Sequence, residues 1–140
     1  MKRIKRFVIG LVGLSTLYGA PAQAEKWVYV TQRDDDGRNK TTYSIDVDSF
    51  DSDFSDDDRV SIWQKEEYET NEVESDVTFS LYEFDCAKKE MNLFHWERFV
   101  DNAPNEMFSW EHSESRTQSV LAGSVSEEIF KAACALNARP

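Results

Sequence analysis

The run Ser80-Leu81-Tyr82-Glu83-Phe84-Asp85-Cys86 decides the fold: it is dense in β-formers and closes on one of only two cysteines. Apolar residues around it fall on both parities, with Val77, Phe79 and Leu81 on one and Tyr82, Phe84 and Cys86 on the other. Such a pattern fits a strand covered on both faces, or one bulged near Leu81. The second cysteine, Cys134, lies 48 positions on, inside Glu127-Glu128-Ile129-Phe130-Lys131-Ala132-Ala133-Cys134, a helical pattern. A disulfide from the end of a strand to a C-terminal helix would fix how that helix lies on the sheet.

At 140 residues the chain is sized for one domain. Residues 1–24 have the layout of a secretory signal: Lys2, Arg3, Lys5 and Arg6, an apolar run from Phe7 to Tyr18, then Ala22-Gln23-Ala24. The expectation is cleavage after Ala24, leaving residues 25–140 as a single exported domain. The apolar run is too short to span a membrane and no second one follows, so no integral membrane segment is expected. No cysteine sits near the cleavage site, so no lipid anchor is expected there. In an oxidising compartment two cysteines default to a disulfide, so Cys86 and Cys134 are expected to pair.

The leader carries four of the 16 Lys and Arg and none of the 27 Asp and Glu, so the exported part has 12 against 27, a formal −15. This argues against DNA and RNA, whose binding starts with Lys and Arg neutralising phosphate, and against anionic lipid. Solubility or adaptation to a salty medium accounts for such a charge.

Along the chain, Trp27–Thr31 and Thr41–Val47 read as a hairpin closed by Asp34-Asp35-Asp36-Gly37-Arg38-Asn39. Asp48–Asp58 reads as an acidic loop with one helical turn, Arg59–Tyr68 as a strand with Val60 and Ile62 on one side, and Met91–Val100 as the strand following Cys86. Asp101–Glu106, with Pro104, is expected to break the sheet, and Glu111–Ser119 receives no element. Ser124-Val125-Ser126-Glu127 has the capping-box spacing and opens an apolar stripe of Val125, Ile129, Phe130, Ala133 and Cys134.

Asp51, Asp53, Asp56, Asp57 and Asp58 invite a calcium reading, since hard cations take several carboxylate oxygens from one flexible segment. Neither acidic run has the glycine and closing Glu of the twelve-residue calcium loop, so these five are weak cation candidates beside a solvated loop. His95 and His112 are too few for a tetrahedral zinc site, no nucleophile-elbow motif is present, and no cofactor is expected. Trp27, Trp63, Trp96 and Trp110 are read chiefly as core packing, or else as an exposed aromatic face.

Taken together, the export signal, Trp27, Tyr43-Ser44-Ile45-Asp46, Val60-Ser61-Ile62-Trp63, Leu81-Tyr82-Glu83-Phe84-Asp85-Cys86 and Gly123-Ser124-Val125 with Cys134 resemble the surface-adhesin protein E family. The resemblance implies an α+β domain: an antiparallel β-sheet of about five to six strands with a C-terminal helix packed on it and tied by the disulfide. It implies a protein of the Gram-negative envelope, often a homodimer; the namesake is a lipoprotein that binds laminin and vitronectin. Two departures stand out: the absence of a lipidated cysteine, and an acidity ill suited to polyanion-rich matrix. The resulting expectation is an exported, non-enzymatic binding protein, periplasmic or secreted and not lipid-anchored, whose partner is a protein or envelope component. The alternative is a periplasmic stability factor with a salt-adapted acidic surface.

Overall fold

A computed structural model describes residues 26–35, 37, 39–52, 58–109 and 117–137; the expected leader and cleavage site lie outside them. Among these residues seven strands form one antiparallel sheet: β1 (Trp27–Asp35), β2 (Asn39–Asp46), β3 (Arg59–Glu69), β4 (Asp76–Asp85), β5 (Glu90–Val100), β6 (Ala103–Ser109) and β7 (Gln118–Ser119). The order is β1-β2-β3-β4-β5-β6, with β7 pairing the other end of β5, and one helix, α1 (Val125–Asn137), follows. This is the expected architecture, with β6 and β7 added at one side.

The two-sided pattern of Val77–Cys86 reflects apolar cover on both faces of an unbulged strand, and the irregularity near Leu81 belongs to its partner. Leu81 lies opposite His95 but Tyr82 opposite Leu93, so the register slips between Leu81 and Tyr82, with Phe94 the extra residue on the partner strand. Phe84 and Tyr82 face α1, while Phe79 faces away, against Trp27 and Phe99.

The core lies between one half of the sheet and the helix. Ile45, Val60, Ile62 and Phe84 meet Ile129, Phe130 and Ala133, all buried. The helix residues recur at one and four positions, one side of a 3.6-residue turn. Phe84 and Phe130 meet edge to face at 5.9 Å. Burying such a side chain stabilises by roughly 1.5–3 kcal/mol.

Two devices fix the helix. The Ser124 hydroxyl accepts from the Glu127 N–H at 3.2 Å, and the Glu127 carboxylate reaches back to the Gly123 N–H at 3.4 Å. Farther along, Cys86 and Cys134 form the disulfide, their Cα atoms 5.8 Å apart. Closing a 48-residue separation contributes about 4 kcal/mol in the loop-entropy account.

Two readings of the sequence are corrected. Asp101–Glu106 does not break the sheet. Val100 pairs with Ala103 around Asp101 (φ 50°) and Asn102 (φ 63°), a tight two-residue turn that Asp and Asn tolerate better than other side chains. Pro104 is accommodated because β6 is an edge strand and the ladder slips beside it, leaving Asn105 extra. The Asp101 carboxylate also accepts from the Glu74 and Ser75 N–H groups at 2.8 and 3.1 Å, tying this turn to the β3–β4 connection. Within Glu111–Ser119, Gln118 and Ser119 form β7 against Met91 and Glu90, a strand too short to leave a period.

Many acids prove structural. Asp46 is buried, accepts from the Lys26 and Asp48 N–H groups, and caps the 3-10 turn Val47–Ser49, which takes Val47 from the end of the expected second strand into the helical turn expected at the start of the acidic loop. Glu83 and Asp85, also buried, share Arg59 at 3.6 and 3.9 Å, and Asp85 closes the next turn by accepting from Ala87 and Lys88.

Candidate functional site

Of the acidic-loop candidates, Asp51 bridges to Ser61 through its main chain, with hydrogen bonds of 3.0 and 2.8 Å, and the Asp58 carbonyl accepts from the Cys86 N–H at 2.7 Å. Asp53, Asp56 and Asp57 lie outside the described residues, as do Trp110 and His112. Among the described residues no group of three or more His, Cys, Asp or Glu side chains is placed to hold a metal ion.

The helix seals only part of the side it faces. Beyond Ile45, cross-strand register sets Tyr43, Glu66, Thr78 and Arg98 in one row over β2 to β5, with Thr41 and Tyr68 paired in the next. Together with Asp76 these seven line an open cavity of about 290 Å3. Arg98 donates to Asp76 through Nε at 2.9 Å and Nη2 at 2.6 Å, a two-pronged pair that raises the guanidinium further above its ordinary range. Glu66 has no such partner among the described residues. Burial pushes its carboxyl above the usual carboxylate range, and a hydrogen bond with Tyr43 partly offsets this. Tyr82, toward the helix, is pushed up to about 12 by burial first and then by the charges of Glu66 and Tyr43, against a hydrogen bond with Ser80.

On the opposite side Trp27 and Trp63 pack, but outside the buried core. Trp27 lies 5.7 Å from Phe79 with Lys65 Nζ 5.1 Å from its ring centre, and Phe79 meets Phe99 edge to face. Buried Ser44, opposite Tyr29 and Lys65, is small enough to leave room for these rings. Trp63 meets His95 edge to face at 5.6 Å. His95 hydrogen-bonds Ser109 through Nδ1 and Glu97 through Nε2, the latter at 3.2 Å. When the imidazole is neutral and Nε2–H donates to Glu97, Nδ1 accepts the Ser109 hydroxyl. When it is protonated both nitrogens donate, and both partners still accept. This trio therefore clasps β6 to β5 in either state. His95 and Glu97, two apart on one strand face, were legible as neighbours; Ser109 was not, because Asp101–Glu106 was expected to break the sheet before it.

The last surface is β6 itself. It ends the sheet, and all seven of its residues are exposed. Met107 is 69% and Phe108 45% exposed, one on each side of the strand by register, and Phe108 stacks on Trp96 at 6.5 Å. Its only charged residue is Glu106.

The family model for surface-adhesin protein E matches residues 27–135, from the first residue of β1 to beyond the helical cysteine. The chain belongs to this family. No curated protein and no solved structure matches it. Membership supports an adhesin-type role for an exported or surface protein and a non-enzymatic one. No described helix is long and apolar enough to cross a membrane. The matched span includes both cysteines and every surface described above.

Proposed function

We propose that the protein is an exported, non-enzymatic binding module of the cell envelope, periplasmic or secreted, that captures an extended segment of a partner protein along β6. One observation carries this reading: an edge strand exposed along its whole length that presents Met107 and Phe108, one to each side of the sheet. Exposed edges are ordinarily blunted by lysine, proline or a covering element. Here Pro104 blunts one end alone, and the other end offers backbone groups flanked by apolar side chains, the arrangement that strand addition uses. The salt-adaptation alternative rests on net charge alone, and Asp46, Asp76, Glu83 and Asp85, being buried, take no part in it.

The test is saturable capture by the purified exported domain of laminin, vitronectin or proteins of an envelope extract, with a Met107→Asp/Phe108→Asp variant alongside. Loss of two exposed apolar anchors should weaken capture about tenfold or more while leaving the melting temperature nearly unchanged. A second copy of the chain is the other occupant such an edge accepts, and sedimentation over a concentration series separates it from a foreign partner. Absence of saturable capture and of self-association together would end the reading.

A further inference from the structure

The open cavity on the helix side has no β6 residue in its lining, and its charges do not balance. It holds two carboxylates and one guanidinium. Asp76 is fully engaged by Arg98, at 2.6 and 2.9 Å, so the unbalanced group is Glu66. Its described contact is the Tyr43 hydroxyl, a neutral donor. A charged carboxylate half removed from water with only a neutral hydrogen bond is poorly compensated, and a cation is what would compensate it. Metal ions are poor candidates, since no described group of three or more ligand side chains converges. An organic cation needs one carboxylate, aromatic surface and hydroxyls, and Tyr43, Tyr68, Thr41 and Thr78 line the same space. The molecule already makes one such contact at Lys65 over Trp27. At about 290 Å3 the cavity takes a single side chain rather than a folded element, and the formal charge of −11 favours approach of basic polypeptides.

We propose that the Tyr43–Glu66–Tyr68 cavity is a receptor for one lysine or arginine side chain of a partner polypeptide, its cationic head against Glu66 and its stem along the tyrosine rings. The inference stands apart from the β6 reading, because its probe is too small to add a strand. Arg98, held by Asp76, marks the far wall and directs the incoming cation to the Glu66 side.

The experiment is a heteronuclear NMR titration of the exported domain with Nα-acetyl-lysine methylamide, and with its Nε-acetylated form, in which the charge is gone. The expected result is saturable shifts at the amides of Tyr43, Glu66 and Thr78 with the first probe and none with the second. Glu66→Gln keeps the shape and should weaken binding at least tenfold. Thr78→Lys, which sets the chain's own ammonium beside Glu66, should block the probe by a different route, so one variant remains informative if the other misfolds. Met107→Asp/Phe108→Asp should change nothing here, so failure of the strand-edge reading stays distinguishable. Shifts that do not saturate, that are equal for the acetylated probe, or that survive both cavity variants overturn the proposal.

Discussion

The two halves of the helix-facing side are built from the same strands and end in opposite chemistry. Near Cys86 the rows run Val60, Phe84, Met91 and Ile62, Tyr82, Leu93, and α1 covers them. Two positions farther along β3 and β4, and three along β5 because of its extra Phe94, lies a boundary row, Ile45, Gln64, Ser80 and Trp96, in which Gln64 and Ser80 are still buried. Past it come Tyr43, Glu66, Thr78 and Arg98, open to solvent. Helix length sets the change. Thirteen residues of α1 span about 20 Å at 1.5 Å each, whereas the eleven of β3 span about 36 Å at 3.3 Å each. A helix pinned at Cys134 to the Cys86 end cannot reach the far row. One half of the sheet is thus sealed by the helix and the other is left open to solvent.

The largest effect expected from breaking this contrast is removal of the pin. Cys86→Ser/Cys134→Ser should lose about 4 kcal/mol of unfolding free energy in urea, since both the loop constraint and the anchoring of α1 go. A loss below about 1 kcal/mol would mean that apolar packing alone fixes the helix. Next comes a matched pair on neighbouring strands. Ile62→Ala, under the helix, should cost about 3 kcal/mol, because it opens a cavity in a sealed region, whereas Thr78→Ala in the open half should cost under about 0.5 kcal/mol. Equal costs would erase the division. Smaller again is Ser124→Ala, which removes the helix cap and should cost about 1 kcal/mol, read from the same urea midpoints.

The covered half was the legible one. Val60 and Ile62 alternate with Ser61 and Trp63, the stripe through Ile129, Phe130 and Ala133 repeats at helical spacing, and the two cysteines name each other. Such signals are local and periodic. The open half was not legible, because Tyr43, Glu66, Thr78 and Arg98 come from four strands and meet only through register, which no local pattern carries. β6 was missed for another reason. Pro104 was weighed as a breaker of the sheet, while Asp101-Asn102, the stronger signal, marked a tight turn whose return strand could take a proline at the edge.

The last expected effect is the smallest and runs in the opposite direction. The Glu66 carboxyl is raised in the fold above its ordinary value of 4.5, mainly by burial. As pH climbs past 4.5 the unfolded chain releases this proton while the fold still holds it, so the group lowers stability progressively until its folded value is passed, and by a constant amount beyond. Glu66→Gln removes that slope. At neutral pH the variant should unfold at slightly higher urea than the parent, and below pH 4 it should show no gain, since the parent carboxyl is then protonated in both states. Tyr82 supplies a second slope at the other end of the scale: raised from 10.0 to about 12, it should make stability fall between those values, and Tyr82→Phe should flatten the fall. A buried apolar residue of the covered half such as Ile62 gains nothing from truncation at any pH, whereas Glu66, to which the described residues bring no cation, should be relieved by losing its charge. A Glu66→Gln variant that is less stable than the parent at neutral pH would show the carboxylate to be already satisfied, and the open half would then be an extension of the core rather than a vacancy beside it.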